Sequence, residues 1–128
     1  MVHGLIEHDE QYTQTVFTIE EGNIFLENDC FSEAGLLENM AQSAALRTGW
    51  IAAANENEDK DFVPPVGVIG AIKNFELFRS PKVNSKLQTT IELLTEFGNA
   101  TMVSAIVKQD NEILARAELK IFLTGEEN

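Results

Sequence analysis

Between Tyr12 and Ile19 the chain is rich in Thr, Val, Phe and Ile, and after Glu21-Gly22-Asn23 the run Ile24-Phe25-Leu26 resumes that character. This pattern predicts two short strands around a turn. From Ser32 to Ala54 the period becomes helical and no proline interrupts it, which predicts one helix roughly 30 Å long. Its apolar positions wrap most of its surface, and Ala34, Ala41, Ala44, Ala45, Ala52, Ala53 and Ala54 would let a sheet approach closely, so the helix is expected inside the fold. Asn55 to Asp61 is polar and acidic, and Pro64-Pro65 ends any helical continuation. Strand-like runs follow at Val66–Phe78, Leu87–Glu96, Ala100–Gln109 and Ile113–Leu123, with breaks at Ser80-Pro81 and Phe97-Gly98-Asn99 and a two-residue hairpin turn at Asp110-Asn111. The tail from Thr124 to Asn128 is acidic and expected to fray.

Two strands, a long helix and a run of strands make an α+β order rather than alternating α/β. One helix cannot cover both faces of such a sheet, so either the sheet curls around it or a second copy helps to cover it. Both routes lead to a hotdog fold, a curved antiparallel sheet of five or six strands wrapped around one long central helix. Its usual dimer joins two sheets edge to edge and so removes their open edges. The 128 residues fit one domain, 1–128, with one core.

Charge narrows the partners. Twenty-one acidic residues against nine basic ones leave a net charge of −12, which argues against general binding to nucleic acid or to an anionic membrane. The apolar stretch from Ala34 to Ala54 contains Glu38, Asn39, Gln42 and Arg47, so it reads as a buried helix and not a membrane span. No basic region followed by a long apolar run opens the chain, and Cys30 is its single cysteine. A reducing cytoplasm is therefore the expected location. Two histidines five apart and one cysteine give neither the spacing nor the number of ligands for a metal site, and no glycine-rich phosphate loop is present, so no cofactor is expected.

The chemistry should lie on the helix. Glu38 and Gln42 stand four residues apart, hence on one face, flanked by Leu37, Ala41, Ala45 and Leu46. A carboxylate among apolar neighbours is suited to general acid or base work. The alternative is a glutamate at a solvated edge that serves solubility.

The segment Leu36-Leu37-Glu38-Asn39-Met40-Ala41-Gln42 resembles the central-helix motif of the β-hydroxyacyl-acyl-carrier-protein dehydratases, in which Gly-Val-Leu-Ile-Glu-Ala-Met-Ala-Gln is typical. Downstream, Gly70, Lys73, Phe75, Arg79, Pro81 and Leu87 look like that family's strand ending in a basic residue, a proline and a turn. The likeness threads through residues 12 to 123, and the helix motif is its specific part. It implies that Glu38 is the helix acid acting with a histidine of another subunit, that Gln42 supports Glu38 or the shared interface, and that Gly35 lies near amides able to bind the thioester oxygen. It also implies an acyl thioester, on an acyl carrier protein or on CoA, as substrate.

One part of the family pattern is missing. Its loop before the helix carries a His-Phe-Pro-Gly segment whose histidine is the α-proton base, whereas this chain reads Glu27-Asn28-Asp29-Cys30-Phe31-Ser32-Glu33-Ala34-Gly35. The only histidines are His3 and His8, and terminal histidines are more often exposed than catalytic. Three functions follow: a dehydratase-like protein of intact or altered activity, a thioesterase using Glu38 or Asp29, and a noncatalytic partner or acyl binder. The partner subunit is then a second copy or a related hotdog chain.

Cys30 has two readings, a thiol near the helix N-terminus at the place of the family histidine or a small buried apolar residue. Lys73, Arg79, Lys82 and Lys86 form the densest basic run of an acidic chain. They are either a docking patch for an acidic carrier protein or pantetheine phosphates, or charges that keep a strand end from pairing.

Overall fold

The computed structural model describes residue 2 and residues 4–8, 12–54 and 66–124, with side chains described at position 2 and within 12–47 and 68–122. Among the described residues nine elements follow one another: β1 (Gly4–His8), β2 (Tyr12–Thr18), β3 (Leu26–Glu27), β4 (Cys30–Phe31), α1 (Glu33–Ala54), β5 (Val66–Leu77), β6 (Lys86–Phe97), β7 (Ala100–Gln109) and β8 (Glu112–Thr124). Six strands form one antiparallel sheet in the order β1-β2-β6-β7-β8-β5, and β3 with β4 makes a separate hairpin.

Alternation decides which side of the sheet is buried. In β6 the residues Leu87, Thr89 and Ile91 are buried, in β7 Val103, Ala105 and Val107, and in β8 Ala117, Leu119 and Ile121. They face α1, which sends Leu36, Met40 and Ala44 into the same core. This period-2 set against a period-3.6 set leaves the even positions of β7 and β8 on the opposite side of the sheet. Asp110 and Asn111 both have left-handed backbones, with φ of 52° and 69°, as a tight type I′ hairpin requires and as the turn sequence predicts.

One strand is unexpected and two expectations change. No strand is predicted before Tyr12, yet Gly4–His8 pairs with β2 and becomes the sheet's edge strand. The backbone of β2 supplies that ladder, so no apolar signal is needed in β1 itself. Ile24-Phe25-Leu26 is not the second strand. Ile24 and Phe25 lie in a turn, Ile24 is 88% exposed, and Leu26 and Glu27 pair only with Cys30 and Phe31. Finally, the helix is covered by this chain's sheet on one side only. Ala34 and Ala45 stay exposed while Leu37, Ala41 and Leu46 are half-buried. The expected fraying of the tail concerns residues that, beyond the Thr124 backbone, lie outside those described.

Candidate active site

The start of α1 is built by local chemistry. Ser32 caps the helix, its Oγ accepting the Gly35 amide at 3.2 Å, and Glu33 places a negative charge in the positively polarised first turn. Gly35 is buried where a Cβ would lie 2.7 Å from the Phe31 ring and 2.8 Å from Phe25. The glycine thus makes room for the Phe31 ring and the Phe25 Cβ. Its amide is engaged by the cap.

The helix carries two polar stripes. Asn39, Ser43 and Arg47 are buried toward the sheet. Thr89 Oγ1 donates to Asn39 Oδ1, and the Ser43 and Thr15 hydroxyls are 2.8 Å apart, so buried polar groups on the helix meet hydroxyls on β6 and β2. Burial pushes the Arg47 guanidinium below its ordinary value, and the Glu96 carboxylate partly restores it. These contacts fix the rotation of α1 about its axis. Glu38 and Gln42, one position earlier in the helical repeat, consequently project from the side that the sheet leaves open.

On that side Gln42 Nε2 donates to Glu38 Oε2 at 2.8 Å, and both residues are half-buried. Among the described residues no other hydrogen bond reaches the Glu38 carboxylate. The pair is held in place yet remains accessible, bordered by Leu37, Ala41 and Leu46. Such a carboxylate can give or take a proton at an oxygen or carbon brought to it. No histidine lies on its own helix.

The other candidates are divided among several places. Asn28 and Asp29 form the left-handed tip of the β3–β4 hairpin, where Asp29 is exposed and its carbonyl oxygen accepts the Val83 amide at 2.8 Å. Cys30 is half-buried, and its backbone forms a bridge with Lys82. The Phe31 amide donates to Pro81 at 2.7 Å, which ties this hairpin to the segment before β6. Asp29, Cys30 and Lys82 are therefore neighbours beside the start of α1.

The basic run does not form one patch. Arg79 is ion-paired with Glu112 at 3.0 Å and donates to Gln109 at 3.4 Å. Lys73 lies on β5 and Lys86 on β6, with β8 and β7 between them, which alone sets them about 14 Å apart across the sheet at the usual strand spacing. Lys82 bridges to Cys30 next to the helix start, and Lys86 opens β6 four residues later. His3 lies outside the described residues, and of His8 only the backbone is described, paired with Thr13. Among the described residues no group of three His, Cys, Asp or Glu side chains could hold a metal ion, and no helix is long and apolar enough to cross a membrane.

A family model described as ApeP-like, ApeP dehydratase, matches residues 1–128. The chain belongs to this family. No curated protein sequence matches it. Among solved structures, the dehydratase heterocomplex ApeI:P from Xenorhabdus doucetiae is similar with a TM-score of 0.81 at 15% identity, covering 98% of this chain and 83% of that one. The protein smu.793 from Streptococcus mutans UA159, bound to acetyl CoA, is similar with a TM-score of 0.76 at 10% identity, over 98% and 90%. A hypothetical thioesterase with coenzyme A from Streptococcus pneumoniae TIGR4 gives 0.76 at 11% identity, over 97% and 90%. At these identities the likeness establishes the fold, and it is the hotdog that the strand and helix order predicted.

The inward stripe was missed by the sequence reading. Its signal is the four-residue spacing Asn39, Ser43, Arg47, which runs beside Glu38 and Gln42 with the same period. Spacing shows that two stripes exist. It does not say which of them faces the sheet.

Proposed function

We propose that this ApeP-like chain is one half of a two-subunit dehydratase for β-hydroxyacyl thioesters, contributing Glu38 as the acid while a related hotdog subunit contributes the base. The observation that carries this reading is the Glu38–Gln42 pair, oriented at 2.8 Å on the helix side that the chain's own sheet leaves uncovered. The loop into that helix has no histidine. In the reaction, the partner's base removes the α-proton, the electron pair of that C–H bond becomes the new C=C bond, and the β C–O bond breaks. Glu38 protonates the departing hydroxyl, which leaves as water. Gln42 keeps the carboxyl group aimed during the transfer, an orienting role consistent with its single-turn spacing.

The heterocomplex named for the Xenorhabdus doucetiae relative supports a hotdog partner of different sequence, and the acetyl CoA bound to smu.793 supports a thioester on a pantetheine arm. In this reading the hairpin bearing Asp29 and Cys30, together with Gly35, borders the approach to the helix start. Lys82 and Lys86 beside it meet the phosphates of the arm or an acidic carrier protein. The reaction would take place in the cytoplasm.

The test uses the purified chain alone and mixed with hotdog proteins encoded beside it. A β-hydroxyacyl thioester is offered in one set and a saturated acyl thioester in another. Enoyl product that needs both chains and disappears in Glu38→Gln supports the two-subunit dehydratase. Thiol release from the saturated thioester by the chain alone replaces that reading with a thioesterase, and the absence of both reactions in every mixture replaces it with a noncatalytic binder.

A further inference from the structure

The side of the sheet turned away from α1 is divided into two unlike parts. Residues directly opposite in an antiparallel ladder share a face, so Phe97, Ala100, Phe122 and Val68 make one row across β6, β7, β8 and β5. Thr95, Met102 and Lys120 make the row beside it. Farther along the same face charges are matched: Arg116 pairs with Glu76, and Asn74 Nδ2 donates to Glu118 at 3.2 Å.

At the Phe97 end this matching stops. A groove of about 620 Å³ lies there, lined by side chains that include Phe97, Met102, Phe122, Lys73 and Lys120. Phe97 is 84% exposed, an unusual position for so large an apolar side chain. Phe122 lies against Gly70, where any Cβ would fall 2.2 Å from its ring, so the glycine seats the ring as a floor. Lys120 Nζ stands 5.3 Å from the centroid of that ring. Among the described residues neither Lys73 nor Lys120 has a carboxylate within ion-pair distance, although acidic residues outnumber basic ones by more than two to one in this chain. Glu118, which faces Lys73 across the ladder, is the carboxylate taken by Asn74.

We propose that this groove is a binding site for a small anionic amphiphile of the alkyl carboxylate class, with the carboxylate between the Lys73 and Lys120 ammonium groups and the alkyl chain over Phe97, Met102 and Phe122. Its volume falls in the range of small-molecule sites, and a mostly apolar floor with a few placed charges is their usual composition. The distance from β8 across β7 to β6 is roughly 10 Å, enough for a medium-length chain to lie across the strands. Two unmatched cations in a strongly acidic protein supply the charge complementarity that selects an anion. The site is on the opposite side of the sheet from Glu38 and is independent of the reaction proposed there.

The test is calorimetric titration of the whole chain with octanoate, acetate and 1-octanol. Octanoate should bind, with the other two weaker by about tenfold or more, because each lacks one of the two recognised features. The double variant Lys73→Glu, Lys120→Glu should lose binding by a similar factor, Phe97→Ser should weaken it several-fold, and Glu38→Gln should leave it unchanged. Phe97 and Lys73 are exposed and Lys120 is half-buried, and circular dichroism checks that each variant folds. Equal binding of 1-octanol, unchanged binding in the double lysine variant, or loss of binding in Glu38→Gln would each overturn the proposal. Attachment to phosphatidylglycerol vesicles without any binding of octanoate would overturn it in favour of a membrane surface.

Discussion

The two polar stripes of α1 have the same residue spacing and opposite surroundings. Asn39 and Ser43 face the sheet and satisfy their hydrogen bonds on Thr89 and Thr15. Glu38 and Gln42 face away from it and bond to each other. At Asn39 and Ser43 the inner stripe is closed by the fold, since an unmatched polar group there would pay its full desolvation cost. On the outer stripe the Glu38 carboxylate accepts from Gln42 and is only half-buried, within reach of something that arrives from outside. Structure and chemistry are thus separated on a single helix by a rotation of one residue.

This contrast can be broken by substitution. The largest effect is expected for Glu38→Gln in the two-subunit assay, where enoyl formation should fall by about 10²–10⁴-fold, the usual worth of a positioned general acid. The same variant should unfold within about 0.5 kcal/mol of the parent, as most substitutions away from buried networks do. A large stability loss instead would show that the outer stripe is structural.

The inner stripe should behave in the reverse manner. Asn39→Ala strands the buried Thr89 hydroxyl and should cost about 1–3 kcal/mol in denaturant unfolding. Gly35→Ala forces a methyl group against the Phe31 ring and the Phe25 Cβ and should cost a comparable 1–3 kcal/mol, roughly what overpacking costs elsewhere. Ser43→Ala loses one hydroxyl pair and should cost about 1 kcal/mol. The smallest effect is expected for Gln42→Ala: stability unchanged to within about 0.5 kcal/mol, with turnover reduced roughly tenfold because the carboxylate loses its orienting contact. If Gln42→Ala is as destabilising as Asn39→Ala, the two stripes do not differ in kind.

Much of this was legible beforehand because it depends on local chemistry. The Asp110-Asn111 turn, the long strands β5 to β8 and the helix after Ser32 follow from residue period and turn preference. The Glu38–Gln42 contact follows from one turn of helix. β1 was not legible, since its pairing comes from the edge of β2 rather than from its own composition. The scattering of Lys73, Arg79, Lys82 and Lys86 was also hidden. These residues are adjacent in the chain, but the sheet order inserts β7 and β8 between β5 and β6, and Arg79 is drawn to Glu112 at the β7–β8 turn.

Taken alone, the sequence determined that the chain is α+β, that a long helix carries the carboxylate and amide one turn apart, and that the loop leading into that helix has no histidine. These are matters of period, spacing and residue identity. Only the tertiary structure decided that Glu38 and Gln42 occupy the uncovered side, because the rotation of α1 is fixed by hydrogen bonds to β2 and β6 from residues distant in the chain. It likewise decided that Lys73 joins Lys120 and Phe122 across a ladder, since strand register brings together side chains that sequence separation keeps apart.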